Sequence, residues 1–320
     1  MNPWNTAPAQ VGPRQRRSFE GWYFKQVSQD QSHTWSIIPG ISRGKHRVDD
    51  RSFIQVIEGR SGQTWWFEYP ATAFAASTSA MDIVVGDSRF SREGIELSLR
   101  EGDDAFEGRI TFGPFTSLPR RVFSPGIMGP YSFIPFMECN HGLVSLDHEL
   151  GGWLDRNGQR CDFEGGRGYA EKDWGHSMPR SWVWTQSNNF AERGDSFMFS
   201  VASIPWLGSA FNGFLAVAHL GGNTLLEASW TGATIRKLRV EDDHVEVAIA
   251  RAGIEIEARI ERSRGGILRA PVDGVLSRRI SESVDALLDL RWTERGRIRF
   301  EGRAINAGLE VVGEASGLGA

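Results

Sequence analysis

The stretch GYAEKDWGHSMPRSWVWTQSNNF, Gly168 to Phe190, puts two carboxylates, a tyrosine, a histidine, three tryptophans and a Gln-Ser-Asn-Asn run close together. Side chains on a β-strand alternate between faces, so Tyr169, Glu171 and Asp173 share one face and Lys172 lies on the other. Gly175 and Pro179 signal a break, after which Trp182, Trp184, Gln186 and Asn188 again fall on one face. The segment reads as two strands lining a cavity: an acidic rim, a turn, then a wall of rings and amides. The plainer alternative makes the tryptophans core, Glu171 and Lys172 a solvated pair, and the amides a loop closure.

Outward from this stretch the period of two persists and helical period is almost absent. Phe53 to Glu58, Thr64 to Tyr69, Gly94 to Arg100 and Phe106 to Phe112 read as an antiparallel meander. Beyond Phe190, strands are expected at 195–204, 212–220, 225–230, 234–240, 244–251, 254–261, 284–292 and 297–305, the spacing of barrels or sandwiches. Between the two sets, Pro114, Pro119, Pro125, Pro130 and Pro135 recur in a passage that cannot pair as a central strand, and it is expected to strap a barrel mouth. It leads into a second notable stretch, Phe136 to Trp153. Trp22 to Gln26, then Trp35 to Pro39, faintly echo Trp182 to Gln186, then Phe199 to Pro205, which suggests that each half opens with the same hairpin. The domain reading is a flexible leader over 1–17, an N-terminal barrel over 18–176 and a C-terminal barrel over 177–320.

Twelve Trp against 4 Tyr in 320 residues imply either a very aromatic core or an apolar hollow walled by rings. A net charge of -4 gives no general attraction to nucleic acid. Cys139 and Cys161 are too few for a disulfide framework, and no apolar run suits a signal peptide or a membrane span, so the expectation is a cytoplasmic protein with reduced thiols. Peripheral membrane contact is compatible with this composition. The seven histidines show no metal-binding spacing, and no phosphate-binding glycine motif or Gly-x-Ser-x-Gly elbow occurs, so neither a metal nor a cofactor is expected.

The blocks Phe19-Glu-Gly-Trp-Tyr-Phe-Lys25, Glu138 with His141-Gly142, Tyr169-Ala-Glu-Lys-Asp-Trp-Gly175 and Trp182-Val-Trp-Thr-Gln-Ser-Asn188 together resemble the signature of the tocopherol cyclase family, in the family's order. The resemblance implies an all-β fold of two tandem antiparallel lipocalin-like barrels, related to carotenoid hydratases and barrel-type pericyclases. It also implies cofactor-free ring closure, with a small hydrophobic molecule as partner: a prenylated phenol, an isoprenoid or a polyene. Asn140, Asn189 and His176 depart from the residues expected at those places.

Closing a phenol onto an alkene needs a proton delivered to carbon, a cation kept alive briefly, and the phenolic proton removed. Glu171 is the first candidate acid, with Asp173, Glu138 and His141 as alternates; burial keeps a carboxyl protonated. Trp22, Trp182 and Trp184 could face the cation. Tyr169, Gln186 and Asn188 could hold the oxygens, and Trp174 and His148 complete the expected lining. Along the strand Glu138 and His148 have one parity and His141 the other, unless Gly142 makes a bulge. The rivals are a pericyclase or hydratase acting on a natural-product polyene, and a non-enzymatic carrier of an isoprenoid or pigment.

Overall fold

Regular alternation such as that of Ile95, Leu97 and Leu99 marks the strands with one exposed face, whereas the strands over 18–27, 34–43, 51–58, 166–175 and 182–187 are buried on nearly every residue. The computed structural model describes residues 2–120, 124–134, 137–206 and 208–319. The first set of strands is β1 (Ser18–Val27), β2 (Thr34–Arg43), β3 (Arg51–Glu58), β4 (Thr64–Pro70), β5 (Phe74–Ala76), β6 (Asp82–Val85), β7 (Ser88–Ser91), β8 (Gly94–Glu101), β9 (Asp104–Phe112), β10 (Cys139–Arg156), β11 (Gln159–Asp162) and β12 (Gly166–Gly175). The second is β13 (Trp182–Ser187), β14 (Ser196–Trp206), β15 (Ser209–Leu220), β16 (Asn223–Ala228), β17 (Thr234–Val240), β18 (His244–Arg251), β19 (Ile254–Glu261), β20 (Gly266–Val272), β21 (Val275–Glu294) and β22 (Arg297–Val312).

The fold is all-β and lipocalin-like, in two antiparallel sheets. The first runs β4-β3-β2-β1-β12-β10-β9-β8-β7-β6-β5, with β11 on β10; the second runs β16-β15-β14-β13-β22-β21-β19-β18-β17, with β20 on β21. The two orders follow one plan: the opening strand, β1 or β13, sits inside the sheet between its hairpin partner and the closing strand, β12 or β22. The echo between Trp22–Gln26 and Trp182–Gln186 falls on these equivalent strands. Each sheet wraps one apolar core, and among the described residues no pairing joins its edges into a closed ring.

Two compact units result, one of residues 1–58, 63–178 and 268–279, the other of 59–62, 179–267 and 280–320. The division in the chain falls between Met178 and Pro179, and a later excursion, 268–279, joins the first unit. That excursion is tied in by main-chain bonds from Met178 N to Pro271 O and from Gly274 N to His176 O. Pairing partners so distant in the chain leave no local signal.

The N-terminal residues expected as a flexible leader are laced into the first unit. Ala9 N donates to Ser77 O, Trp22 Nε1 to Ala7 O at 2.8 Å, and Gln10 N to the Glu20 carboxylate at 2.6 Å. Each supplies a partner that a group buried against the sheet would otherwise lack. Among its described residues the proline-rich passage forms no long strand; Thr116 exchanges main-chain bonds with Asp147 and Leu146, and a short 3-10 turn spans Gly129–Phe133. Pro135 and Phe136, named above, lie outside the described residues.

Candidate functional site

The two faces of β12 carry different chemistry. In the antiparallel pairing of β12 with β10, His141 stands opposite Asp173 and Leu143 opposite Glu171; with β1, Tyr23 stands opposite Glu171 and Lys25 opposite Tyr169. Directly opposed residues project from the same side of a sheet. One face therefore collects Tyr23, Lys25, His141, Tyr169, Glu171 and Asp173.

On that face four side chains line up as two hydrogen-bonded pairs in ion-pair contact with each other. His141 Nδ1 lies 2.9 Å from Asp173 Oδ1, and His141 Nε2 lies 3.7 Å from Glu171 Oε2. The Tyr169 hydroxyl donates to the same Glu171 oxygen at 2.6 Å. Burial, reinforced by the Glu171 carboxylate, pushes the Tyr169 phenol well above its ordinary value, so it stays a donor. Ser36 Oγ donates to Tyr23 Oη at 2.8 Å beside this chain. Burial is graded along it: Tyr169 is fully buried, the Glu171 side chain is 6% exposed, His141 13% and Asp173 25%. The two hydrogen-bonded pairs, Asp173 with His141 and Tyr169 with Glu171, thus face each other across the 3.7 Å between His141 Nε2 and Glu171 Oε2.

The three acidic and imidazole groups each offer one ligand atom within 4.8 Å of the others. The carboxylates, however, address different ring nitrogens. A cation held by all three would gather both carboxylates on the side of a single nitrogen, so the arrangement suits hydrogen bonding better than metal binding.

The opposite face of β12 is the interior of the sheet. Lys172, read as one half of a solvated pair with Glu171, is fully buried there and salt-bridged to Glu20 at 2.6 Å. Its ammonium also takes the carbonyls of Thr6 and Pro8 and sits 4.5 Å from the Trp22 ring centre and 5.2 Å from that of Trp174. Desolvation outweighs the pull of Glu20 and lowers Lys172 to about 8. Trp22 and Trp174 thus lie across the sheet from Glu171, and the cation over the Trp22 ring is the protein's own. Around them the interior is filled by rings: Phe24 stacks on Phe90 and Phe112, and Trp35, Trp65 and Phe67 all pack against Phe106.

His148 occupies this inner face too. Two bulges in β10, between Leu143 and Ser145 and between Ser145 and His148, cancel, so the simple alternation survives and separates His148 from His141; Gly142 stays in register with Lys172. The imidazole is wedged between Phe112 and Phe115, with ring centres at 4.7 and 4.6 Å, and accepts no room for a side chain at Gly168, where a β-carbon would come within 2.2 Å of Nε2. Burial, aided by Arg92, lowers its pKa to about 3, so it is a neutral packing group. Glu138 precedes β10, and its carbonyl takes the amides of His176 and Ser177. The Asp173-His141-Glu171-Tyr169 chain does not run through it.

Trp182, Trp184, Gln186 and Asn188 belong to the second unit. Trp182 Nε1 donates to Glu310 Oε2 at 2.5 Å, and the Trp184 ring lies so close to Gly308 that a β-carbon there would sit 2.6 Å from it. Gln186 Nε2 and Asn189 Nδ2 both donate to Asn188 Oδ1, the loop-closing use of the amides. A groove of about 470 Å³ on this unit is lined by Lys237, Glu246, Arg259, Asp289 and Arg303 among others. These are locked in mutual ion pairs, a poor lining for an apolar guest.

Sequence reasoning missed Glu20, Tyr23, Ser36 and the inward turn of Lys172. Glu20 and Tyr23 stand in the block quoted for its resemblance, and their parity separates them; what one strand alone cannot show is which neighbour each meets.

Residues 109–313, more than half of the chain, match the tocopherol cyclase-like family. The chloroplastic tocopherol cyclase of Zea mays is 38% identical over 56 residues, which is 18% of this chain and 12% of that protein. The chain therefore aligns with only a small part of that relative's length. Among solved structures, CghA in complex with Sch210972 is similar over 96% of this chain and 94% of its own, with a TM-score of 0.60 and 10% identity. Kievitone hydratase of Nectria haematococca is similar over 97% and 95%, with a TM-score of 0.50 and 9% identity. At such identities these likenesses concern the fold. With its two-sheet architecture and the family match over 109–313, the chain belongs to the tocopherol cyclase-like family.

Proposed function

We propose that the protein is a cofactor-independent cyclase that closes a ring on a prenylated phenol or related polyene by protonating an alkene. The observation that carries this reading is the line of Asp173, His141, Glu171 and Tyr169 on one face of β10 and β12, hydrogen-bonded at both ends and 3.7 Å apart at His141–Glu171. Family membership, and the names of a cyclase relative and of a hydratase of like fold, support the same class of chemistry.

Glu171 is the acid. Its proton goes to the alkene carbon, the phenolic oxygen attacks the tertiary cation, and the phenolic proton returns through Glu171 or His141. One C–H and one C–O bond form, the O–H bond and the alkene π bond are lost, and no electron acceptor is needed. Tyr169 holds the carboxyl in place, and His141 with Asp173 reloads it from water.

The test is incubation with a panel of prenylated hydroquinones in heavy water. Ring closure with one deuterium on carbon, lost in Glu171→Gln, is the expected result. Closure without carbon-bound deuterium would mean a pericyclic reaction. A hydrated, open-chain alcohol would mean a hydratase, the reading that the partial exposure of Asp173 favours next. Tight binding without any product, unaffected by Glu171→Gln, would mean a carrier.

A further inference from the structure

We propose that Trp4 and Phe133, with Arg120 beside them, seat the first unit on an anionic lipid surface. Trp4 is 41% exposed and Phe133 51%, and their rings meet edge to face with centres 6.3 Å apart. Large apolar side chains exposed singly are ordinary; two from segments well over a hundred residues apart, packed on each other at the surface, form a site. A tryptophan and a phenylalanine with a basic neighbour are suited to the headgroup boundary of a bilayer.

Trp4 does not hang on a loose end. Its amide donates to Asn2 Oδ1, Asn2 N donates to Gln10 Oε1, and the residues that follow are clamped by Lys172 and Glu20. The indole is presented from a folded tip.

Charge selects the occupant. The chain has 40 acidic residues in 320, one in eight, and a net charge of -4; at that rate the 24 residues from Pro114 to Met137 would hold three, yet they hold none. Residues 1–19 hold none either, and the two stretches carry Arg14, Arg16, Arg17, Arg120 and Arg121. Arg16 is neutralised by Asp50, whereas Arg120 is exposed and borders the same crevice as Trp4. That crevice, about 50 Å³, takes a water or two and no acyl chain. The partner is therefore a lipid surface rather than a single swallowed lipid, and attraction to anionic headgroups adds to insertion of the rings. Two rings and one cation make the contact weak and reversible. The inference is independent of the Asp173-His141-Glu171-Tyr169 chain and would outlast its failure.

The experiment is co-sedimentation of the full chain with phosphatidylcholine vesicles, with and without phosphatidylglycerol, at low and high salt. Binding is expected with phosphatidylglycerol at low salt, falling by about tenfold or more in W4A/F133A. W4F should retain it, R120E should lose only the part that depends on phosphatidylglycerol, and I298A, at an exposed position of the second unit, should be unaffected. No sedimentation with any vesicle, or equal binding by W4A/F133A with an unchanged melting curve, would overturn the proposal. So would a dimer in gel filtration that W4A/F133A dissociates without any vesicle binding, since the patch would then face a second copy of the chain.

Discussion

His141 and Asp173 occupy directly paired positions on β10 and β12, and their Nδ1 and Oδ1 atoms meet at 2.9 Å while the other ring nitrogen faces Glu171. In the proposed mechanism this imidazole takes a proton from one carboxylate and passes it to the other without turning, which requires the 3.7 Å gap to Glu171 to close. Register alone puts it there, because a slip of one residue would send His141 to the inner face.

Removal of the acid should be severe and local. Glu171→Gln keeps the shape and the Tyr169 hydrogen bond, so turnover of a prenylated phenol should fall about 10²- to 10⁴-fold with a nearly unchanged melting temperature. His141→Asn should cost about 10²-fold. Turnover within twofold of the parent in Glu171→Gln would remove Glu171 from the mechanism.

Chelation should do nothing. Because the two carboxylates face different nitrogens of His141, dialysis against EDTA is expected to leave turnover unchanged. A stoichiometric metal detected by mass spectrometry, with activity lost on its removal and restored on its return, would replace the proton chain with a metal centre.

His148 should make the fold sensitive to acid. Folding lowers its pKa from 6.5 to about 3, so between those values the unfolded chain binds a proton that the folded one refuses. Its contribution to stability is therefore lost as pH falls below about 6.5, on the order of 2–3 kcal/mol by pH 4.5. Urea unfolding at pH 7 and 4.5 checks this: His148→Phe should show a smaller difference between the two pH values. Equal differences would mean that His148 is protonated in the folded state.

The Glu20–Lys172 pair should be costly to break and cheaper to replace. Lys172→Met leaves a buried carboxylate without its counterion, and a loss of about 3–5 kcal/mol is expected. Glu20→Gln/Lys172→Met should recover part of it in urea unfolding. Limited proteolysis should cut Lys172→Met within residues 2–11 sooner than the parent, since the carbonyls of Thr6 and Pro8 lose their donor. Identical cutting would show that the N-terminal segment is held by its other contacts.

The strands were largely legible. β18 and β19 begin and end at the residues where alternation begins and ends, since half-buried antiparallel strands write their burial into a period of two. The grouping of Tyr169, Glu171 and Asp173 was legible for the same reason. The path of 268–279 into the first unit was not, because its partners Gln55, Ser42 and Ser177 lie about a hundred residues or more away.

By itself the sequence determined which side chains share a face, because alternation is a property of one extended strand and needs no neighbour. Only the tertiary structure decided what those faces meet. Lys172 and Glu171 are adjacent in the chain, yet one is paired to Glu20 beneath two tryptophans and the other to His141 and Tyr169 on the reverse side. The difference arises from strand register across the sheet, which is set by the summed burial of many residues and is encoded at no single position.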